Sequence, residues 1–256
     1  MRIIAVANQK GGVGKTTTTI NLGTAMAAVG RRVVVFDLDP QGNASTGLGI
    51  PAAQRRPNAY HVLIGSVSLA AALRPTEVPN LSIVPSGVDL AGAEIELVSL
   101  ERRESFLRNA LIGLAATHDY VLIDCPPALG LLTLNALAAA HAVLVPLQCE
   151  FFALEGISHL MKTIERVRRG FNPSLEIQGI VLTMFDKRNR LSDLVASDVR
   201  AHFGEKVYET VIPRNVRVSE APSHGRPVLI YDVQCAGSRA YLHLASEVLK
   251  RERRVA

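Results

Sequence analysis

Tryptophan is absent and aromatic residues make up only 5% of the 256-residue chain, so there is little material for an aromatic-rich binding shell. The 48% apolar share rests instead on Ala, Val and Leu, which suits helices layered on a sheet. Cysteine is scarce as well. Cys125, Cys149 and Cys235 are odd in number, widely spaced and without a C-x-x-C pair, which argues against a disulfide framework or a zinc site and for a reducing compartment. No apolar run reaches the roughly 18 residues of a membrane span, and the short apolar start at Met1 to Val6 lacks a secretory cleavage site. A cytoplasmic protein is expected. Gly/Ser linkers, low-complexity tracts and internal repeats are missing too, so residues 1–256 are expected to form a single domain. With a strand starting at the second residue, no room is expected for an N-terminal helix-turn-helix module.

What charge there is leans basic, with a net +5 and a pI near 9.3. Its distribution says more than its size. Basic residues bunch at Arg166, Arg168 and Arg169, at Lys187, Arg188 and Arg190, at Arg214 and Arg217, and at Lys250 to Arg254, a pattern compatible with a polyanion such as DNA. The histidines show no metal-ligand spacing and read as structural or surface residues.

Short runs rich in β-branched residues recur along the chain: Ile3 to Ala7, Val33 to Phe36, Leu81 to Val84, Val121 to Ile123, Ala142 to Leu147, Ile177 to Leu182 and Val207 to Ile212. Most are apolar throughout rather than alternating, as parallel strands covered on both faces should be. Helical patterns fall between them, at Thr16 to Val29, Leu131 to Ala140, Glu155 to Arg169, Leu191 to Phe203 and Ser238 to Arg253. The order predicts an α/β fold, a doubly wound, mostly parallel sheet flanked by helices.

The strongest chemical signal is Lys10-Gly11-Gly12-Val13-Gly14-Lys15-Thr16-Thr17, directly after the first strand and directly before the first helix. Glycines there let successive N–H groups face a phosphate, and the helix adds its positive N-terminal end. Lys15 can reach the β- and γ-phosphates of a nucleotide, and the Thr16 hydroxyl can ligate Mg²⁺. These features together predict a P-loop for ATP. A second acidic signal is Leu122-Ile123-Asp124-Cys125-Pro126-Pro127, an apolar strand ending in an acid, which fits a carboxylate acting on Mg²⁺ through water. Cys125 has no identifiable catalytic partner and reads as packing.

The usual P-loop has glycine where this chain has Gln9, followed by the extra Lys10. That departure resembles the deviant Walker family, which includes ParA, MinD and the nitrogenase iron protein. Asp37-Leu38-Asp39-Pro40-Gln41-Gly42-Asn43 resembles the ParA motif whose second aspartate positions the attacking water, and at a parallel strand's carboxyl end both acids would face the ligand crevice. Gln148-Cys149-Glu150, Leu154-Glu155-Gly156, Leu182-Thr183-Met184-Phe185-Asp186 and the stretch from Val211 to Gly225 are similar to the chromosomal ParA subgroup called Soj.

The resemblance implies a DNA-partitioning ATPase that binds Mg·ATP, closes into a nucleotide-sandwich homodimer and coats nonspecific double-stranded DNA. Hydrolysis, stimulated by a ParB-type centromere-binding partner, then releases it, and the protein is nucleoid-associated in the cytoplasm. By the same resemblance Lys10 reaches the partner subunit's phosphates, Lys10, Lys15 and Asp39 are catalytic, and Thr16, Asp39 and Asp124 attend the metal. Met184, Pro213 and Asn215 would line the adenine pocket, although Met184 also suits ordinary core filling. Lys187, Arg188, Arg190 and Arg217 would contact DNA. The chief alternative is a MinD-like membrane switch, which needs an amphipathic C-terminal helix for lipid; residues 245–256 look short and charged, with little apolar face to insert. An iron–sulfur reductase would need two suitably placed cysteines per subunit, a pattern that Cys125 and Cys149 do not make.

Overall fold

One sheet carries every strand foreseen in the sequence. In a computed structural model, which describes the main chain of residues 1–151 and 153–255 and side chains as far as residue 252, the strands are β1 (Arg2–Val6), β2 (Val33–Asp37), β3 (Arg74–Pro75), β4 (Leu81–Val84), β5 (Tyr120–Asp124), β6 (Ala142–Gln148), β7 (Glu176–Phe185) and β8 (Val207–Pro213). They lie in the order β3-β4-β2-β5-β1-β6-β7-β8. All pairings are parallel except β3 with β4. The antiparallel edge was not foreseen; two residues, one of them Pro75, offer no periodicity to read.

The longer helices are α1 (Lys15–Ala28), α2 (Leu131–Ala139), α3 (Ala153–Gly170), α4 (Arg190–Phe203) and α5 (Ala236–Val255). Because side chains alternate along a strand, the sheet separates two apolar cores. Ile3, Ala5, Val34, Phe36, Val121 and Ile123 face one, with Leu132 and Leu137 of α2 and Ile157, Leu160 and Ile164 of α3. Ile4, Val6, Val33, Val35 and Leu122 face the other, with Ile20, Leu22 and Met26 of α1 and Tyr241, Leu244 and Val248 of α5. Covering both faces explains why the strands read as unbroken apolar runs.

α5 is longer and more amphipathic than its charged sequence suggests, and its apolar side is spent on the second core. Arg253 and Arg254, part of the C-terminal basic cluster, lie outside the described side chains.

α1 is buried nearly all round, yet five of its buried side chains are polar or charged. Thr19 and Thr24 donate to the carbonyls of Lys15 and Ile20, at 3.0 and 2.9 Å, and Asn21 donates to Thr17 O and accepts from Val228 N, both at 2.8 Å. The helix is thereby fixed in place. Parallel pairing brings the carboxyl ends of β1, β2, β5, β6, β7 and β8 to one edge, and the loops after them build the site.

Candidate active site

The turn between β1 and α1 is wound by glycine. Gly12 and Gly14 have φ of 74° and 87°, left-handed values that L side chains resist. Asn8 anchors its start, donating to Pro146 O on β6 at 2.7 Å and accepting from Lys10 N at 3.0 Å. Thr183 of β7 donates to Val13 O at 2.8 Å. Two neighbouring strands thus hold the loop open. No side chain caps α1, its first turn has no acid, and the amides of Gly11 to Gly14 find no acceptor among the described residues. A row of unsatisfied N–H groups at a helix N-terminus is a cradle for an anion.

Lys15 sits inside this turn, largely buried, with its ammonium donating to Lys10 O at 3.0 Å. Burial pulls its pKa down, while Asp124, Cys125 and Asp39 oppose that pull. Asp124 ends β5 and pairs in register with Asp37 at the end of β2. Both are fully buried. Burial above all, then the neighbouring Asp37, raises the Asp124 pKa well above the carboxylate range, with Thr16 and Lys15 pulling the other way. Asp37 is pushed up to about 6, chiefly by burial, despite hydrogen bonds from Ser45 Oγ at 2.6 Å, Ser45 N at 2.8 Å and Asp39 N at 3.3 Å. Asp124 Oδ1 accepts from Thr19 Oγ1 at 3.3 Å, but its Oδ2 has no partner among the described residues. A crowded acidic pocket with an orphaned carboxylate oxygen suits a hydrated cation.

Gly11, Gly12, Gly14 to Thr17 and Asp39 line one cleft of about 550 Å³, with Pro126 to Ala128 on the far side. A second pocket of about 160 Å³ shares Gly14, Thr17 and Met184 with it and adds Pro213, Asn215 and Tyr241. Of the residues expected at phosphate, metal and base, Gly11, Gly12, Gly14 to Thr17, Asp39, Met184, Pro213 and Asn215 thus line two contiguous spaces, while Lys10, Val13 and the fully buried Asp124 line neither. Asn215 also caps the helix Val216–Glu220, its Oδ1 accepting from Val218 N at 3.3 Å.

Glu94 was missed in the sequence. It lines the large cleft and accepts from Leu132 N at 3.3 Å. Tyr241 was missed also, although it lies in the core beside the base pocket and meets Thr18 Oγ1 at 3.4 Å. Lys10 does not line the cleft; its ammonium pairs with Glu150 after β6. The expected DNA residues are exposed and follow neighbouring strands: Lys187 and Arg188 on the loop after β7 with Arg190 opening α4, and Arg217 in the helix Val216–Glu220 after β8, with Arg214 N donating to Phe185 O at 3.0 Å between them. The N-terminus of α4 opens on the same edge. Cys125 and Cys149 are buried, burial raising both thiols, Cys149 to about 11.

Comparison with known proteins agrees with this geometry. The AAA domain family matches residues 1–177. The chromosome partitioning protein ParA of Caulobacter vibrioides is 64% identical over 255 residues, covering 99% of this chain and 96% of its own. The sporulation initiation inhibitor protein Soj of Bacillus subtilis is 50% identical, covering 96% of this chain and 98% of its own. Among solved structures, cobyrinic acid a,c-diamide synthase from Mycobacterium smegmatis with bound ADP and magnesium superposes with a TM-score of 0.88 at 39% identity, covering 100% of this chain and 97% of that one. The septum site-determining protein MinD from Pyrococcus horikoshii, complexed with Mg-ADP, gives 0.82 at 27% identity over 100% of this chain and 98% of its own. On identity along nearly its whole length, the chain belongs to the ParA/Soj family of chromosome-partitioning ATPases.

Proposed function

We propose that this protein is a partitioning ATPase that binds Mg·ATP, dimerises around two nucleotides and in that state holds nonspecific DNA, leaving it after hydrolysis stimulated by a ParB-type partner. The observation that carries the reading is the single cleft in which an uncapped helix N-terminus, Lys15 and Thr16 converge beside Asp39, with the fully buried Asp124 and its orphaned oxygen next to Lys15 and Thr16. When bound, Mg·ATP supplies the γ-phosphoryl group that passes to water. Amides from Gly11 to Thr17 take the phosphate oxygens, and Lys15 neutralises their charge. Thr16 and Asp124 hold the metal's surroundings, with Asp39 beside them. Asp39 is assigned to orient the attacking water, since it borders the cleft without belonging to the phosphate cradle. Met184, Pro213 and Asn215 take the base in the adjoining pocket.

Lys10 is assigned to the partner subunit's phosphates, for which it must leave Glu150. Lys187, Arg188, Arg190 and Arg217 are assigned to DNA phosphates. The membrane-switch reading lacks a free lipid-binding face among the described residues of α5, because Tyr241, Leu244 and Val248 are packed in the core. No described helix is long and apolar enough to cross a membrane.

Salt titration of binding to a random-sequence duplex tests the reading. Two to four phosphate contacts per subunit, doubled in a dimer, give a log–log slope of roughly −4 to −7 with ATP. Binding that follows base sequence, or a slope near zero, would remove the phosphate surface.

A further inference from the structure

Two of the three arginines assigned to DNA are not free. Arg188 is 89% exposed at its side chain, yet it grips Asp186 with two parallel bonds, Nε to Oδ1 at 3.0 Å and a terminal nitrogen to Oδ2 at 2.9 Å. Arg217 meets Glu220 at 3.1 Å and Asp232 at 3.6 Å, acids that arrive from different segments. Tyr231 donates its hydroxyl to the same Glu220 oxygen at 3.4 Å. By contrast, Lys187, Arg190 and Arg214 have no ion pair among the described residues. A carboxylate held by the guanidinium fork presents the same planar pair of acceptors as a phosphate.

We propose that Asp186, Glu220 and Asp232 act as internal phosphate mimics, occupying Arg188 and Arg217 in the free chain and setting the threshold that DNA must exceed to take them. The inference rests on the DNA-binding reading given above and adds residues that oppose it. An exposed ion pair is worth only about 1.5-fold to 5-fold in an equilibrium. Three such pairs hold back binding by roughly threefold to a hundredfold per chain, and the displaced carboxylates then face the DNA backbone and repel it. A single chain, with few contacts, barely clears that threshold. Two chains side by side double the contacts against one duplex and the pairs to be broken alike, so the carboxylates set the threshold with ADP and with ATP. Asp186 responds in kind: Arg188 beside it holds its pKa down at about 2, so it stays charged at any physiological pH.

The test combines Asp186→Asn, Glu220→Gln and Asp232→Asn. The amides keep the local acceptors, since Asp186 Oδ1 accepts from Arg188 N at 3.0 Å and Asp232 Oδ1 from the amides of Gln234 and Cys235 at 3.1 Å each. Binding to a fluorescent random-sequence duplex is measured by anisotropy with ADP and with ATP at one salt concentration. The triple variant should bind at least threefold more tightly than wild type in both states, Asp186→Asn alone should give part of that gain, and adding Arg188→Ala with Arg217→Ala should abolish it. If the amide variants, single and triple, bind as wild type while Arg188→Ala with Arg217→Ala weakens binding, DNA uses these arginines and the mimicry is wrong. If neither set alters binding, the DNA surface lies elsewhere and both readings fall.

Discussion

Replacing Asp37 with Asn should make the nucleotide-free protein more heat-resistant relative to wild type as pH rises from about 4 to about 7. Asp37 is fully buried at the end of β2, and its pKa rises from an ordinary 3.8 to about 6, chiefly because burial disfavours the charge. The folded chain therefore holds this proton more tightly than the unfolded chain does. The stabilising contribution is complete below about 3.8 and is lost as pH climbs through about 6. A shift of roughly two units corresponds to about 3 kcal/mol, which for a chain of this size is on the order of 6–12 °C in melting temperature. Asn cannot ionise and loses nothing over that range. It keeps only one acceptor for Ser45 and Asp39 N–H, a constant penalty of about 1 kcal/mol. Calorimetric melting of both proteins with EDTA and without nucleotide measures the difference; acids remote from Asp37, such as Asp119 held at about 2 by Arg32, cancel, while Asp124, which Asp37 pushes up, is relieved in the variant and shifts the difference in the same direction. A difference that stays flat from pH 4 to 7, or that moves against the variant as pH rises, would refute the reasoning.

Lys15→Ala should lose tight ATP binding, by about 2 kcal/mol or more, since a charge-assisted contact in a largely buried cradle disappears; a fluorescent ATP analogue bound at wild-type affinity would contradict the assignment. Asp39→Ala should keep ATP and dimerise yet fall at least a hundredfold in phosphate release, because it is assigned to the water; normal turnover with DNA and partner present would remove it from the mechanism. Gly11→Val should bind nucleotide but stay monomeric in light scattering. A Cβ at Gly11 meets nothing within 4 Å in its own chain, so any obstruction must come from a second copy.

Much of the fold was legible because β1, β2, β5 and β6 are buried on both faces and leave continuous apolar runs. The P-loop was legible for a different reason: its function needs glycine, lysine and threonine at fixed spacing, whatever the tertiary context. Short helices such as Ala59–Leu63 and Leu90–Glu96 span too few residues for periodicity to declare them, so Glu94 on the second went unnoticed at the cleft. The pairing of Lys10 with Glu150 joins residues 140 positions apart and exists only once β1 and β6 lie side by side. Carboxylates beside Arg217 were hidden similarly, since Asp232 reaches it from the turn before α5. For α5 the sequence misled in part: charge on its outer face concealed an apolar side that the core consumes.

The central claim is that nucleotide, dimer and DNA are linked. Light scattering of Asp39→Ala with Mg·ATP, followed by retention on random-sequence DNA from the same sample, tests that link most directly. The account predicts a mass of about twice 27.6 kDa with ATP, near 27.6 kDa with ADP, and DNA held only in the first state. A chain that stays monomeric with Mg·ATP, or that holds DNA equally with ADP, would contradict it.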